Sequence, residues 1–295
     1  MGHTIIGQDD RRRQTMKTGL VLEGGAMRGM YTAGVMDIMM DHNIRFDGII
    51  GVSAGALFGV NYLSGQRGRV IRYNKKYNGS KEYMGLLPLI KEGNIVSTRY
   101  AYDRVPRLYD VFDNETFKAS GVDFYAVVTN LQTGQPEYMQ VKDVYEQMDV
   151  LRASGSMPFV SKPVQIGNQL YLDGGVSDSI PYAYFEELGF DRLVVVLTRD
   201  LEYRKKAMSP LMIEAGYYKY PEFCEQLKKR HEVYNRSVRI LKRREEKGEI
   251  FVIRPSRPIE IRRIETDPDK LQKVYDEGIK DATDCLEQLM AYLGK

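Results

Sequence analysis

The chain has 295 residues, of which 43% are hydrophobic and 28% are charged, a balance typical of globular proteins that bury a substantial core. Its formal net charge of +3 at pH 7 is too small to indicate a nucleic-acid partner. The two cysteines, Cys224 and Cys285, are far apart in the sequence and lack metal-ligand spacing. We therefore expect no disulfide framework, no metal site and no cofactor.

The amino-terminal segment does not match the usual targeting patterns. Residues 1–17 are polar and lack the apolar core of a signal peptide, and no stretch reaches the roughly 18 apolar residues of a membrane span. Gly2 fits an N-myristoylation motif, but Ile6 stands where that motif has Ser or Thr. We expect a cytoplasmic protein with a loose polar leader at 1–17 and a single domain at 18–295. Within that domain, residues 200–295 form a less recognisable helical part.

A strand–helix–strand–helix unit is predicted near the amino terminus. Its strands are TGLVLEG (18–24) and FDGIIGV (46–52), and its helices span residues 30–42 and 54–63. A crossover of this length joins parallel strands, so the loop 24–29 and Ser53 both follow the carboxyl ends of strands. Open α/β sheets bind ligands at that edge, and we expect both segments to lie there.

The rest of the chain continues the α/β pattern less regularly. Residues 64–120 are basic, rich in tyrosine and without a clear periodicity. Further strands are predicted at 124–130, 137–141, 193–198 and 250–255, and a hairpin turn is predicted at Gly167-Asn168. One helix is predicted to end near 149–154, and two others are predicted at 221–248 and 268–293. The apolar run LVVVLT (193–198) is typical of a strand inside a covered sheet.

Ser53 lies in GVSAG (51–55), between a predicted strand and a predicted helix. The pattern G-x-S-x-G is typical of a nucleophile elbow, a sharp turn that exposes the serine hydroxyl. Because glycine and serine are also ordinary turn residues, a tight turn without a catalytic role is the competing interpretation.

The loop EGGAMRG (23–29) supplies candidate donors for the oxyanion of an acyl-transfer reaction. The backbone N–H groups of Gly24, Gly25 and Ala26 stand before a predicted helix, where the helix dipole is positive. A nucleotide-phosphate loop would use the same physics, but the middle glycine of G-x-G-x-x-G and a Walker lysine are both missing. Where a dinucleotide fold has an acidic ribose ligand, at the end of the second strand, this chain has Ser53.

None of the three histidines has the sequence setting of a catalytic base. His3 lies in the leader, His42 ends a predicted helix, and His231 lies on a charged helix face where a solvated side chain is the ordinary explanation. Asp173 in YLDGGVSDSIP is the best candidate for a carboxylate base, because it follows a predicted strand and precedes two glycines. A simple Asp-Gly turn without a catalytic role explains this sequence pattern equally well. Asp178 is a weaker candidate that fits a cap or turn.

In this order and spacing, EGGAMRG, GVSAG and DGG resemble the patatin-like phospholipase family, and more narrowly its small bacterial branch, over roughly residues 18–200. RASGSMPFV (152–160) is similar to a small-residue segment of that family. The resemblance implies a three-layer α/β/α sandwich with a mainly parallel central sheet. It also implies a Ser-Asp dyad without histidine that hydrolyses acyl esters of lipids through an acyl-enzyme.

The same resemblance assigns roles by position. It implies Ser53 as the nucleophile and Asp173 as the base, with the oxyanion loop at Gly24, Gly25 and Ala26. Arg28 stands in the basic position of the loop motif and is a candidate substrate-binding residue. The sequence departs from the family pattern at two positions: Ala26 replaces the usual third glycine, and Glu23 replaces the common aspartate. Neither replacement removes a catalytic group.

Two other functions are compatible with the sequence. One is a catalytically silent lipid-binding or scaffolding protein of the same fold, against which the intact Ser53 and Asp173 argue. The other is a Ser-His-Asp esterase that uses His231, although in that fold the elbow usually follows several strands. The basic, tyrosine-bearing segments 73–85 and 217–244 are interpreted as solvated surfaces, with peripheral contact to the inner face of a membrane as the alternative. The oligomeric state is left open.

Overall fold

The computed structural model describes residues 16–294, in which one eight-stranded sheet forms the centre. The sequence predictions for Gly2, His3, Ile6 and most of the polar leader lie outside the described residues. The strands are β1 (Thr18–Leu22), β2 (Gly48–Val52), β3 (Asp123–Asn130), β4 (Pro136–Gln140), β5 (Val164–Ile166), β6 (Gln169–Asp173), β7 (Arg192–Val196) and β8 (Phe251–Ile253).

The sheet is mainly parallel, as predicted. Its strand order is β5-β6-β3-β2-β1-β7-β8, with β4 pairing with β3 off this path. The five strands from β3 to β8 in this order pair in parallel, whereas β4 and β6 run antiparallel to β3. In the centre, Leu20 of β1 is in register with Ile49 of β2 and Val194 of β7. The predicted crossover unit is therefore confirmed, with β1 and β2 as neighbours.

Helices connect the strands and cover the sheet. They are α1 (Gly29–Asp41), α2 (Ala54–Leu63), α3 (Arg69–Tyr77), α4 (Leu86–Glu92), α5 (Asn114–Ala119), α6 (Met148–Gly155), α7 (Tyr182–Glu187), α8 (Pro210–Tyr217), α9 (Pro221–Glu246), α10 (Pro268–Asp284) and α11 (Leu286–Leu293). Within the described residues, no helix is long and apolar enough to cross a membrane.

Strand alternation explains why helices pack on both faces. Successive side chains of a strand point to opposite faces, so Leu20 and Leu22 lie in one core and Val21 lies in another. The first core also contains buried residues of α1, α2 and α10, and the second contains residues of α7 and α9. Because both faces are covered, the central strands are apolar throughout rather than alternating. This is the expected three-layer α/β/α arrangement.

The segment 64–120 is more helical than its sequence pattern indicated. It contains α3, α4 and α5 and a π-helical segment at Tyr100–Tyr109. In α3 the buried side chains Val70, Tyr73 and Tyr77 follow helical spacing. Arg69 is also buried and donates to Asn61 Oδ1 at 2.7 Å. Only two aliphatic residues, Val70 and Ile71, contribute to this buried face beside tyrosines and polar side chains, so a count of aliphatic residues alone does not reveal the helix.

The carboxyl-terminal prediction needs one correction. Residues 268–293 do not form a single helix, because Cys285 has φ −104° and ψ 7° and separates α10 from α11. After this break, the Tyr292 hydroxyl accepts a hydrogen bond from the backbone N–H of Leu193 in β7 at 3.2 Å. Leu289 and Leu293 are buried. The last helix therefore packs against the sheet after an interruption at Cys285, which the helical periodicity of the sequence does not reveal.

Candidate active site

Ser53 occupies a sharp turn between β2 and α2. Its φ of 55° and ψ of −121° lie in a region that residues other than glycine rarely adopt. Gly55 makes the turn possible, since a Cβ at that position would lie 2.3 Å from the carbonyl oxygen of Leu22. The helix starts immediately, with the N–H groups of Ala56 and Leu57 donating to the Ser53 carbonyl at 3.0 Å. GVSAG therefore has the geometry of a nucleophile elbow.

Ser53 and Asp173 are brought into direct contact. The Ser53 hydroxyl donates to Asp173 Oδ2 at 2.7 Å, and both residues are buried. The other carboxylate oxygen, Oδ1, accepts the N–H of Gly175 at 2.8 Å. Asp173 is the last residue of β6, which is held antiparallel to β3 by the pairing of Val128 with Asp173. The two residues are 120 positions apart in sequence, and the sheet supplies the geometry that joins them.

Burial makes the Asp173 carboxylate more basic than a solvated one. Removing the charged form from water raises its pKa above the ordinary value, and this effect is the largest. The positive charge of Arg230, the Ser53 hydrogen bond and the Gly175 N–H act in the opposite direction. A carboxylate in hydrogen-bond contact with a hydroxyl and with a raised pKa has the properties of a general base.

Two contacts in the segment 152–160 were missed by sequence reasoning. The Ser53 N–H donates to Ser154 Oγ at 2.9 Å, and the Asp173 N–H donates to the carbonyl of Ser156 at 2.9 Å. Ser154 is fully buried at the end of α6. One segment therefore anchors the backbone of both residues. The small residues in RASGSMPFV were the available signal, because they permit this close approach.

The loop after β1 lies against Ser53. A Cβ on Gly24 would be 2.8 Å from Ser53 Cβ and from the Val52 carbonyl oxygen, so only glycine permits this approach. Within residues 16–294, the N–H groups of Gly24 and Gly25 donate no hydrogen bond. Ala26 has φ 49° and begins a 3-10 turn, Ala26–Arg28, that leads into α1. Glu23 holds the loop to the end of β7 through the Thr198 N–H at 2.6 Å.

The other candidates have other hydrogen-bond partners, although His231 lines one cavity together with Ser53. His231 Nδ1 lies 2.9 Å from the carbonyl of Lys228 in its own helix, and its side chain is 27% exposed. His42 is exposed at the end of α1. Asp178 accepts the Ile180 N–H at 3.1 Å and the Tyr138 hydroxyl at 2.9 Å, as a turn residue does.

Two cavities meet at Ser53. An apolar cavity of about 120 Å³ extends between α2, α3 and the segment around Tyr102, with Phe58, Tyr73 and Leu151 in its wall. A polar cavity of about 340 Å³ extends towards α9 and the segment 199–206. Both are lined by Ala26, Ser53, Met157 and Arg263, and Arg28 lines the polar one. Among the described residues, no group of three or more His, Cys, Asp and Glu side chains could hold a metal ion.

A buried serine thus lies on a strand-to-helix elbow at the carboxyl edge of an open α/β sheet, where such folds bind ligands. The chain belongs to the patatin-like phospholipase family, whose sequence model matches residues 20–185. A second family model, described as a domain of unknown function (DUF6363), matches residues 220–294.

Relatives and structural neighbours are distant. An uncharacterized protein of Escherichia coli, YjjU, is 30% identical over 198 residues, covering 63% of this chain and 53% of that protein. Lysophospholipase nte1 of Aspergillus terreus is 28% identical over 188 residues, covering 63% of this chain and 12% of that protein. The chain thus matches about half of the first relative and a small part of the second. The structure of VipD from Legionella pneumophila aligns with a TM-score of 0.46 at 12% identity, over 92% of this chain and 67% of that one.

Proposed function

We propose that the protein is a serine acyl-ester hydrolase that acts on lipid esters through a Ser53–Asp173 dyad and an acyl-enzyme intermediate. The observation that carries this proposal is the 2.7 Å hydrogen bond from the Ser53 hydroxyl to Asp173 in a buried, elbow-shaped site. Membership of the patatin-like phospholipase family and the similarity to a fungal lysophospholipase support a lipid ester as substrate.

In the first half-reaction, Ser53 Oγ attacks the ester carbonyl carbon while its proton moves to Asp173 Oδ2. The carbonyl oxygen becomes an oxyanion next to the loop 24–26, where the N–H groups of Gly24 and Gly25 are available as donors. Each such donor contributes roughly 2.7–4 kcal/mol to lowering a barrier of this kind. Collapse of the intermediate breaks the bond to the alcohol, which leaves with the proton from Asp173.

In the second half-reaction, water replaces the alcohol. Asp173 takes a proton from the water molecule, whose oxygen attacks the acyl carbon of the Ser53 ester. The second oxyanion uses the same loop, and its collapse releases the carboxylic acid and returns the proton to Ser53 Oγ. The apolar cavity is proposed to hold the acyl chain, because its wall of side chains such as Leu57, Phe58 and Leu151 excludes water from the ester.

The test of this function is a panel of acyl esters with increasing chain length, from short p-nitrophenyl esters to lysophospholipids and phospholipids, together with labelling by a serine-reactive phosphonate. Turnover and labelling are both expected. A folded protein that binds these lipids but is neither labelled nor active would instead support the catalytically silent alternative.

The activity on an uncharged ester is expected to fall as the pH is lowered through the pKa of Asp173. The base must be ionised to accept a proton, and burial raises its pKa, so the acid limb should lie above pH ~4. Arg230 and Lys205 are the charged groups that lower this pKa. Arg230→Gln should therefore move the acid limb of the kcat/KM profile to higher pH. An unchanged limb, or a limb at lower pH, would contradict this role of Asp173.

We also propose a peripheral contact with lipid surfaces through α4. Leu86 and Ile90 are 74% and 80% exposed, and their neighbours Met84 and Ile95 line the apolar cavity. Leu86→Ser/Ile90→Ser should weaken flotation of the protein with phosphatidylcholine vesicles, because the apolar area that leaves water becomes smaller. Leu188→Ser, at an exposed leucine after α7, is the control. Equal flotation of all variants would reject this surface. Binding only to anionic vesicles at low salt would favour the basic segment 217–244 instead.

We propose that residues 18–295 act as one domain, since the carboxyl-terminal part contributes to both sheet and site. β8 pairs in parallel with β7, and Arg230 of α9 lines the polar cavity beside Ser53. A chain truncated after residue 200 should accordingly fail to fold into an active protein, as measured by circular dichroism and ester turnover.

A further inference from the structure

We propose that the apolar cavity beside Ser53 selects acyl groups that carry a hydroxyl on one of the first carbons after the ester carbonyl. This inference rests on the proposed function, because it names the kind of acyl chain that the same site accepts. The preferred substrate is then an ester of a hydroxylated fatty acid, such as a 3-hydroxyacyl ester, rather than an ester of a plain alkanoic acid.

The wall of this cavity is mostly hydrocarbon, but three tyrosines also line it: Tyr73, Tyr83 and Tyr102. They come from α3, from the turn before α4 and from the π-helical segment Tyr100–Tyr109. Tyr73 and Tyr83 are only 8% and 7% exposed. In a mostly apolar pocket, a few polar groups are what fixes the identity and orientation of the ligand.

Two of these hydroxyls lack a partner in the protein. The hydroxyls of Tyr83 and Tyr102 make no hydrogen bond with the described part of the chain, residues 16–294. Tyrosines of the core elsewhere have acceptors: Tyr31 donates to Asp281 at 3.1 Å, and Tyr275 donates to Asp37 at 2.6 Å. A hydroxyl withdrawn from water without a partner is costly, so these two favour a ligand that brings an oxygen of its own.

The three tyrosines form one cluster. Burial raises the pKa of Tyr83, and the neighbouring Tyr73 and Tyr102 raise that pKa further. Burial also raises the pKa of Tyr102, and Tyr73 adds to this effect. All three side chains therefore stay neutral, and each offers an O–H donor and acceptor lone pairs. A ligand hydroxyl suits such a cluster, because it can accept from one tyrosine and donate to another.

The buried cation in the cavity wall is already paired, which favours a neutral ligand group over a carboxylate. Arg69 lies 3.1 Å from the carboxylate of Asp110, and both side chains are buried. It also donates to Asn61 Oδ1 at 2.7 Å. A carboxylate on the acyl chain would compete with Asp110 for this cation, whereas a hydroxyl does not.

Tyr102 sets the position of the hydroxyl along the chain. A Cβ on Gly155 would lie 3.3 Å from the Tyr102 hydroxyl oxygen, so this oxygen lies beside the end of α6. The preceding residue, Ser154, accepts the backbone N–H of Ser53 at 2.9 Å. An acyl carbon bonded to Ser53 Oγ is therefore close to Tyr102. The chain atoms within hydrogen-bond reach of Tyr102 are then the first ones after the carbonyl.

The backbone that carries Tyr102 is unusual. The segment Tyr100–Tyr109 is π-helical, and the Asp110 N–H donates to the carbonyl of Val105, five residues back, at 2.8 Å. Pro106 lies inside the segment and has no N–H to donate. Tyr102, Val105 and Pro106 all line the cavity. Because π-helical turns are rare and frequently occur at functional sites, this segment supports a ligand-binding role for the wall that it forms.

The test compares the p-nitrophenyl esters of octanoic, 3-hydroxyoctanoic and 8-hydroxyoctanoic acid, with the uncatalysed rate of each subtracted. The wild-type kcat/KM should be at least about tenfold higher for the 3-hydroxy ester than for the octanoate, as expected for one or two neutral hydrogen bonds. In Tyr83→Phe/Tyr102→Phe this ratio should fall to near one, because only the hydroxyls are lost. Tyr102→Phe alone should account for most of the fall.

Tyr138→Phe is the matched control, since its hydroxyl donates to Asp178 at 2.9 Å and the residue lines neither cavity. It should leave the ratio unchanged, and thermal unfolding verifies that each variant folds. A wild-type ratio near one, or a ratio that the double variant does not change, would overturn the hydroxyl-binding cavity while leaving the hydrolase function intact. A preference for the 8-hydroxy ester alone would overturn the position assigned to the hydroxyl.

A binding measurement separates this inference from the proposed function. Ser53→Ala protein is titrated by calorimetry with methyl octanoate and methyl 3-hydroxyoctanoate. Tighter binding of the hydroxy ester that is lost in Ser53→Ala/Tyr102→Phe, in a protein whose wild type hydrolyses none of the esters, would support the cavity assignment and reject the proposed function. Equal binding of the two esters by such an inactive protein would overturn both.

Discussion

Ser53→Ala is expected to lower kcat/KM for acyl esters at least about ten-thousandfold and to abolish phosphonate labelling, because no other group on the elbow can form the acyl-enzyme. The fold should persist. The hydrogen bond to Ser154 Oγ comes from the backbone N–H of Ser53, so it does not depend on the Ser53 hydroxyl. The change leaves one oxygen of Asp173 without its donor, so the free energy of unfolding should fall by no more than about 1–3 kcal/mol.

Ser64→Ala is a suitable control for this experiment. Ser64 is also buried, and its hydroxyl donates to the Asn61 carbonyl at 3.2 Å, outside the two cavities. It should keep nearly full activity with a similar change in stability. Turnover by Ser53→Ala at a substantial fraction of the wild-type rate would reject Ser53 as the nucleophile.

Asp173→Asn is expected to lose nearly all activity, whereas the triple change His3→Gln, His42→Gln, His231→Gln should retain most of it. An amide has almost the shape of a carboxylate but cannot take the Ser53 proton. The carboxylate of Asp173 lies 2.7 Å from Ser53 Oγ, and burial raises its pKa, so it combines the reach and the basicity that proton transfer requires. His231, by contrast, has its Nδ1 2.9 Å from the carbonyl of Lys228.

The comparison is made on an uncharged ester at constant pH, with circular dichroism to verify folding. Asp178→Asn serves as the control, since Asp178 contacts Ile180 and Tyr138 rather than Ser53. A folded but inactive histidine-free protein, with His231→Gln alone reproducing the loss, would establish a histidine-dependent triad instead of the dyad.

The local elements near the amino terminus were predictable because short-range patterns specify them. The apolar run of β1, the spacing in α1 and the small residues of GVSAG each constrain the backbone within a few residues. The helix and strand periods predict two strands joined by a helix, and a crossover of this length implies that the strands are parallel. The observed parallel pairing of β1 with β2 agrees with this prediction. Glycine at position 55 was required by the backbone itself, since a larger residue would meet the Leu22 carbonyl.

Other features depend on packing that no local pattern encodes. The buried face of α3 mixes aliphatic, tyrosine and polar side chains, and the helix break at Cys285 precedes the contact of Tyr292 in α11 with Leu193. The contact of Ser154 with the Ser53 backbone joins residues 101 positions apart. Each of these gains its free energy from burial against distant parts of the chain, which a single sequence does not specify position by position.

The candidate site likewise has features that the sequence predicts and features that depend on the tertiary structure. The sequence by itself determined which residues could carry acyl-transfer chemistry, because a nucleophile elbow and a glycine-rich loop have local signatures in GVSAG and EGGAMRG. Only the tertiary structure decided that Asp173 reaches Ser53, since β6 must pair antiparallel with β3 to bring it there. Only the tertiary structure gathered Arg28, Arg199, Lys205 and Arg230 around one cavity. The sequence marked Arg28 as a candidate substrate-binding residue and placed Arg230 in a segment interpreted as a solvated surface, and the shared positive field of the four cations exists only when the chain is folded.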